Sequence, residues 1–146
     1  MRYLAIDLGG KRTGLAVGDD VMKLASPVGV IETANPEVRL QQLAKAVREY
    51  EPDALVVGLP LNMDGSEGPA ARAVRTLAKQ LEARFRRPVH LVDERLTSFA
   101  ADQQMSQTGL THGQKKAVRD ALAAAAILRD FFERAEREHK DADKGE

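Results

Sequence analysis

Cysteine is absent from this chain of 146 residues, and so is tryptophan. Without cysteine there can be no disulfide and no thiolate metal site, so any metal ion would be held by oxygen or histidine ligands. Aromatic residues make up only 4% of the sequence, which argues against a surface on which the bases of a single-stranded nucleic acid stack. The core is therefore expected to consist of leucine, valine, isoleucine and alanine.

An excess of either charge is also missing. The 22 Lys and Arg residues are balanced by 22 Asp and Glu residues, so the overall charge gives no support to nucleic-acid binding, which usually shows as a basic domain. No apolar run approaches the length of a membrane span, and the first residues, MRYLAIDLGG, are too short and too acidic for a signal peptide. These observations predict a cytoplasmic protein with no membrane partner.

No linker rich in proline, glycine or serine divides the chain, and its length suits one domain. We assign residues 1–135 to a single domain. Residues 136–146 are mostly charged and are expected to form a flexible tail or to extend the last helix into solvent.

Strand patterns come first and then alternate with helical ones. Apolar runs predict strands over Tyr3–Leu8, Thr13–Gly18 and Pro27–Ile31, the first two joined by a hairpin turn whose glycines supply positive φ. A helix follows, with Asn35 as its cap and Pro36 as its first residue. The remaining elements are predicted as a strand at Ala54–Gly58, a helix from about Ala70 to Phe85, a strand at Val89–Val92, a helix capped by Thr97 or Ser98 and ending near Gly109, and a last helix from about Gln114 to Ala135.

This order of elements predicts an α/β fold. Its mixed five-stranded sheet would combine an antiparallel three-strand meander with two parallel strands and would be flanked by helices. Active sites of such sheets lie beyond the carboxyl ends of the parallel strands, which directs attention to the loops after Ile6, Gly58 and Val92.

Three carboxylates stand at unusual positions. Asp7 interrupts the apolar run YLAIDL, where a buried carboxylate without a partner would cost several kcal/mol. Glu94 follows the strand HLVD, and Asp120 opens the run DALAAAAIL of the last helix. Each has a structural alternative: Asp7 can accept from the backbone of its neighbouring glycines, Glu94 can be an ordinary loop residue, and Asp120 can be a helix cap.

Converging from two strand ends and one helix, the three acids would form an all-oxygen site suited to Mg²⁺ or Mn²⁺. Two such ions about 4 Å apart can activate water and stabilise the leaving oxygen of a phosphodiester. The residues of other hydrolase sites are missing from this sequence. There is no Gly-x-Ser-x-Gly sequence, as a serine hydrolase would have, and His90, His112 and His139 do not have zinc-ligand spacing. Metal-assisted hydrolysis is the chemistry that remains.

Four segments, in this order, resemble the YqgF (RuvX) family: AIDLGGKRTGLAVGD, VVGLPLNMDGSEG, VDERLTS and KAVRDALAAAAIL. The resemblance covers roughly Arg2 to Arg134, and GLPLNMDG is its most specific part. Members are described as pre-16S rRNA nucleases and, formerly, as Holliday junction resolvases. The resemblance implies an RNase H-like nuclease domain with Asp7, Glu94 and Asp120 as catalytic and metal-binding residues and Mg²⁺ or Mn²⁺ as the cofactor.

The same resemblance implies a function in ribosome biogenesis. The chain would hydrolyse phosphodiesters at the 5′ end of pre-16S rRNA, with RNA, branched DNA or small-subunit precursors as partners, as a monomer or weak homodimer. Related nucleases often carry a fourth acid near the third on the last helix. The positions one turn from Asp120 are not acidic, so Asp93 is the nearby candidate, and RNA processing is favoured over junction resolution.

Candidates for nucleic-acid binding are basic or amide side chains near these segments. They are Lys11, Arg12, Asn62, Arg95, Lys115 and Lys116. Asp64 is expected to be a turn residue with Gly65.

Two further interpretations stay open. Asp7 and the glycines after it also resemble the first phosphate-binding hairpin of actin-like sugar and acetate kinases, although those bind nucleotide between two such domains and this chain supplies one. The other is a non-catalytic RNA-binding factor of ribosome assembly, which the missing fourth acid and the neutral net charge favour.

Overall fold

The computed structural model describes residues 1–95 and 112–144, and the side chains of residues 1–95 and 118–140. Its centre is a five-stranded sheet with strand order β3-β2-β1-β4-β5. The strands are β1 (Arg2–Leu8), β2 (Arg12–Asp19), β3 (Ala25–Glu32), β4 (Ala54–Leu59) and β5 (Val89–Asp93). The first three form an antiparallel meander, and β4 runs parallel to both β1 and β5. The predicted mixed sheet is confirmed.

Three described helices flank the sheet, and they are α1 (Pro36–Tyr50), α2 (Pro69–Phe85) and α3 (His112–Lys144). The side chain of Asn35 caps α1 by accepting from the backbone N–H groups of Glu37 and Val38, as predicted. The predicted helix near residues 97–109 lies outside the described residues. None of the described helices is long and apolar enough to cross a membrane.

Helix α3 is longer at both ends than the sequence pattern predicts. It begins at His112 rather than Gln114 and continues to Lys144 rather than Ala135. Charged residues at the end of this helix follow the same helical path, since they can remain in solvent while the backbone hydrogen bonds continue. The domain boundary at residue 135 stays a prediction.

Each face of the sheet has its own apolar core. Alternate residues of a strand point to opposite faces, so Leu4 and Ile6 of β1 pack with α1 and α2. Tyr3 and Ala5 pack on the other face with α3. By the same alternation Asp7 lies on the α3 face.

Strand β5 follows this rule too. Val89 and Leu91 contact the α1–α2 core, and Val92 belongs to the α3 core. Glu94 is therefore on the side of α3, whereas Asp93 faces the other way.

The turn between β1 and β2 differs from its prediction in one respect. Neither Gly9 nor Gly10 has a positive φ, and the positive-φ glycine of the described residues is Gly65, at φ 86°. Gly9 is needed for a different reason, because a Cβ there would overlap the carbonyl oxygen of Arg12. The turn is thus tightened by close backbone approach rather than by left-handed backbone.

Candidate active site

Asp120 reaches the sheet because β2 carries a glycine opposite it. In the β1–β2 register Gly14 pairs with Asp7. A Cβ on Gly14 would overlap the backbone carbonyl of Asp120, so the helix backbone lies directly against β2 at this point. Since α3 begins at His112, Asp120 is well inside the helix and is not its cap.

The alanines around Asp120 make this approach possible. Ala121, Ala124 and Ala125 are buried against the sheet, together with Ile127 and Leu128. Val118 and Leu122 are larger apolar residues of the same helix, but both are only half-buried. The buried side of α3 is therefore centred on the small residues, because they allow the shorter distance between helix and sheet.

Glu94 reaches the same region across β4. Strand β4 separates β1 from β5, and Gly58 of β4 pairs with Val92 of β5. A Cβ on Gly58 would overlap Glu94 Oε2 and would come within 2.6 Å of Ile127 Cδ1. The Glu94 side chain therefore lies over Gly58, and its carboxyl forms a hydrogen bond with Asp7.

This pair of acids is strongly perturbed. Burial raises the pKa of Glu94 to about 8, and the negative charge of Asp7 and the hydrogen bond to it add to the effect. Burial also raises the pKa of Asp7, the hydrogen bond with Glu94 opposes that rise, and the charge of Asp120 adds to it. Two carboxyls crowded in this way share a proton, since both cannot ionise at low cost without a cation between them.

Asp120 is the third acid at this place. Its Oδ2 lies 2.9 Å from Nε of Arg12, which comes from the start of β2. Both side chains are partly exposed, at 23% for Asp120 and 35% for Arg12. The structure thus brings Asp7, Glu94 and Asp120 together, with Arg12 as the cation beside them.

The donors present suit a divalent metal ion. All three acids offer hard oxygen ligands of the kind that Mg²⁺ and Mn²⁺ prefer, and the crowding of Asp7 and Glu94 would be relieved by a cation. Within the described part of the chain no three acidic or histidine side chains already stand as a metal-binding cluster. In this structure Asp7 and Glu94 are hydrogen-bonded to each other, and Asp120 is paired with Arg12.

Asp93, the candidate fourth acid, has a different partner. Its carboxylate accepts hydrogen bonds from Arg95 Nε and Nη2 at 2.9 Å and 2.6 Å, and this contact lowers the pKa of Asp93. Arg95 also donates to the carbonyl of Met63, at 3.3 Å. The Asp93–Arg95 pair therefore ties the end of β5 to the loop after β4.

The other predicted nucleic-acid contacts are spread around this edge of the sheet. Lys11 is exposed in the β1–β2 turn. The Asn62 amide donates to Ser66 Oγ at 3.0 Å, within a loop where Asp64 accepts from both the backbone and the hydroxyl of Ser66. Lys115 and Lys116 belong to the first turns of α3, and their side chains lie outside the described residues.

Two glycines that shape the site are not among the residues predicted from the sequence. Gly14 and Gly58 each interrupt a strand run, and a glycine inside a strand often marks a close approach of another group. That signal was present in the sequence, but which group approaches depends on the neighbouring strand and helix. Arg39 is a further residue that the sequence does not mark: it donates to the carbonyls of Gly10 and Thr33 at 3.2 Å and 3.4 Å and so fixes α1 against the β1–β2 turn.

Comparison with known proteins gives the family of this chain. Residues 1–134 match the family described as “RuvX: Holliday junction resolvase”. A protein of Thiobacillus denitrificans named “Putative pre-16S rRNA nuclease” is 45% identical over 131 residues, which are 89% of this chain and 90% of that protein. A protein of Anaeromyxobacter sp. (strain Fw109-5) with the same name is 44% identical over 133 residues, 91% of this chain and 97% of its own length.

Solved structures show the same fold at low sequence identity. The structure of T. thermophilus RuvC in complex with a Holliday junction substrate superposes with a TM-score of 0.60 at 18% identity, covering 93% of this chain and 96% of that one. The fowlpox virus resolvase in its complex with Holliday junction DNA also gives a TM-score of 0.60, at 10% identity and with 92% and 99% coverage. The predicted RNase H-like architecture is thereby confirmed.

Proposed function

Because the chain belongs to the RuvX family, we propose that it is a nuclease of the metal-dependent kind that processes the 5′ end of pre-16S rRNA. Family membership over residues 1–134 and relatives named as nucleases support hydrolysis of phosphodiesters over the kinase interpretation. The observation that carries the proposal is the convergence of Asp7, Glu94 and Asp120 at one edge of the sheet, where the carboxyls of the first two are hydrogen-bonded and Asp120 lies against the neighbouring strand at Gly14.

The three acids would hold Mg²⁺ or Mn²⁺, which supplies activation of water and stabilisation of the leaving oxygen when bound. Cation binding would favour the ionised forms of Asp7 and Glu94, since the cation would balance both charges, and the proton between them would pass to water. Asp120, which pairs with Arg12 at 2.9 Å, would be the third ligand. Arg12 beside it would contact a substrate phosphate, for which a guanidinium has suitable geometry.

RNA is the proposed substrate class, on the ground that relatives sharing about 45% of their residues with this chain are named for pre-16S rRNA. Lys11 at the exposed turn and Arg95 at the end of β5 flank the acids, so they are proposed to contact the backbone on either side of the cleaved bond. The proposal includes a cytoplasmic location, small-subunit precursors as partners, and a monomeric or weakly dimeric state.

A four-way DNA junction is the second candidate substrate, and the family description favours it. The test is a cleavage assay on a 5′ pre-16S RNA fragment and on a four-way junction, with Mn²⁺, with Mg²⁺ and with EDTA. Parent protein and Asp7→Asn are compared. We expect cutting of the RNA with either metal and loss of at least about 100-fold in rate for the variant, because a missing ligand removes transition-state charge stabilisation.

Three other results would change the assignment. Preference for the junction would select resolution of branched DNA. Cutting that persists in EDTA would contradict the metal-dependent mechanism. RNA binding without cutting, unchanged by Asp7→Asn, would identify a non-catalytic assembly factor.

A further inference from the structure

The space over Gly58 connects two acids that the sheet otherwise keeps apart. Asp7 follows the apolar part of β1, and Glu94 follows β5, with the whole of β4 between them. Adjacent strands are about 4.8 Å apart, so a side chain must cross roughly 10 Å of sheet surface to join β5 to β1. At the level of the site, the β4 residue beneath that path is Gly58.

Two side chains use the room that Gly58 leaves. An added Cβ would overlap Glu94 Oε2 and would lie 2.6 Å from Ile127 Cδ1 of α3. Such Cβ distances do not occur in relaxed proteins, so one or both side chains would have to move. Ile127 is fully buried between helix and sheet, whereas Glu94 is only half-buried at the rim. Glu94 is therefore the side chain that would give way.

We propose that Gly58 is a positioning residue of the active site, whose missing side chain lets the Glu94 carboxyl cross β4 and meet Asp7. The inference rests on the proposed function, because it concerns the acids that function uses. On this proposal the site geometry, and not the strand, requires a glycine at position 58. Strand β4 is buried and apolar, and its backbone would accept an alanine there.

The test separates crowding of Glu94 from crowding of Ile127. Gly58→Ala introduces both contacts. Ile127→Val removes the Cδ1 atom and hence one of them, so the double variant Gly58→Ala/Ile127→Val retains only the contact with Glu94. Gly29→Ala is the matched control, because a Cβ on this strand glycine meets nothing within 4 Å.

Thermal stability, Mn²⁺ affinity by calorimetry, and kcat and KM on RNA are measured for all variants. Crystal structures of the parent and the double variant give the distance between the Asp7 and Glu94 carboxyls. We expect Gly58→Ala to lower the melting temperature and Ile127→Val to restore most of that loss. The double variant should still bind Mn²⁺ at least tenfold more weakly than Ile127→Val and have a kcat about 100-fold lower at unchanged KM, as a misplaced catalytic group does.

The proposal is overturned if the double variant keeps the carboxyl contact and the Mn²⁺ affinity of Ile127→Val. It is likewise overturned if Gly29→Ala loses as much affinity as the double variant does. A parent that cuts no nucleic acid would contradict the proposed function alone, because the Mn²⁺ affinities and the carboxyl distance still decide the role of Gly58. If the parent also binds no Mn²⁺, the distance between the Asp7 and Glu94 carboxyls in the two crystal structures decides the role of Gly58.

Discussion

The shared proton of Asp7 and Glu94 predicts an unusual dependence of stability on pH. Unfolded, the Glu94 carboxyl ionises near its ordinary pKa of 4.5, whereas in the folded, metal-free protein its pKa is about 8. Between these values the folded state binds more protons than the unfolded state, so the free energy of unfolding falls as the pH rises. This contribution is fully present below about pH 4.5 and is lost above about pH 8.

The size of the loss follows from the same values. A shift from 4.5 to about 8 corresponds to at most about 5 kcal/mol, at 1.36 kcal/mol for each pKa unit. Glu94 is half-buried rather than fully buried, and solvent near the carboxyl reduces the effect. We expect a loss of about 2–3 kcal/mol between pH 5 and pH 8.5.

Urea unfolding in EDTA at several pH values measures this loss directly. Glu94→Gln should flatten the profile over this range, because the amide can bond to Asp7 and does not ionise. At pH 8.5 the variant should be more stable than the parent. Glu82→Gln, an exposed position on α2, should leave the profile of the parent unchanged. Profiles of parent and Glu94→Gln that run parallel from pH 5 to pH 8.5 would refute the shared-proton argument.

Two further predictions concern the partners of Asp120. Gly14→Ala should lower the free energy of unfolding by at least about 2 kcal/mol in urea, since its Cβ would overlap the backbone of α3. Gly10→Ala is the control: its Cβ would meet nothing within 4 Å, so it should change the free energy of unfolding by less than about 0.5 kcal/mol. Equal losses of stability in the two variants would contradict the role of Gly14. Arg12→Gln should change stability by less than about 1 kcal/mol, because its ion pair is partly exposed, but should raise KM for RNA about tenfold through loss of one charged phosphate contact. Arg48→Gln, exposed on α1, is its control, and an unchanged KM for Arg12→Gln would remove Arg12 from the substrate contacts.

The sequence was informative about the site wherever a residue contradicted its own local pattern. Asp7 stands in an apolar strand, and Asp120 stands in a run of alanines inside a helix, so both were visible as exceptions. The mixed sheet, with an antiparallel meander and two parallel strands, also followed from the sequence, because the switch from adjacent strands to alternating helices and strands restricts the connections.

What could not be predicted depends on contacts between distant elements. The Arg12–Asp120 ion pair joins residues 108 positions apart, and no local pattern marks it. Glu94 meets Asp7 although β5 lies two strands from β1, and its side chain passes over Gly58 of the strand between them, a contact that depends on the three-dimensional register. The centring of the buried side of α3 on its alanines likewise depends on Gly14 in β2, not on the helical spacing itself.

The most direct test of the central claim compares two aspartates of the same helix. Asp120 lies near the acids of the sheet, where its charge helps to raise the pKa of Asp7, whereas Asp130 pairs with Arg134 on α3, at 2.8 Å. Asp120→Asn and Asp130→Asn are made separately, and kcat for RNA cleavage is measured at saturating Mn²⁺. The account predicts a loss of at least about 100-fold for Asp120→Asn and a change of no more than a few-fold for Asp130→Asn. Equal kcat values for the two variants would contradict a three-carboxylate active site.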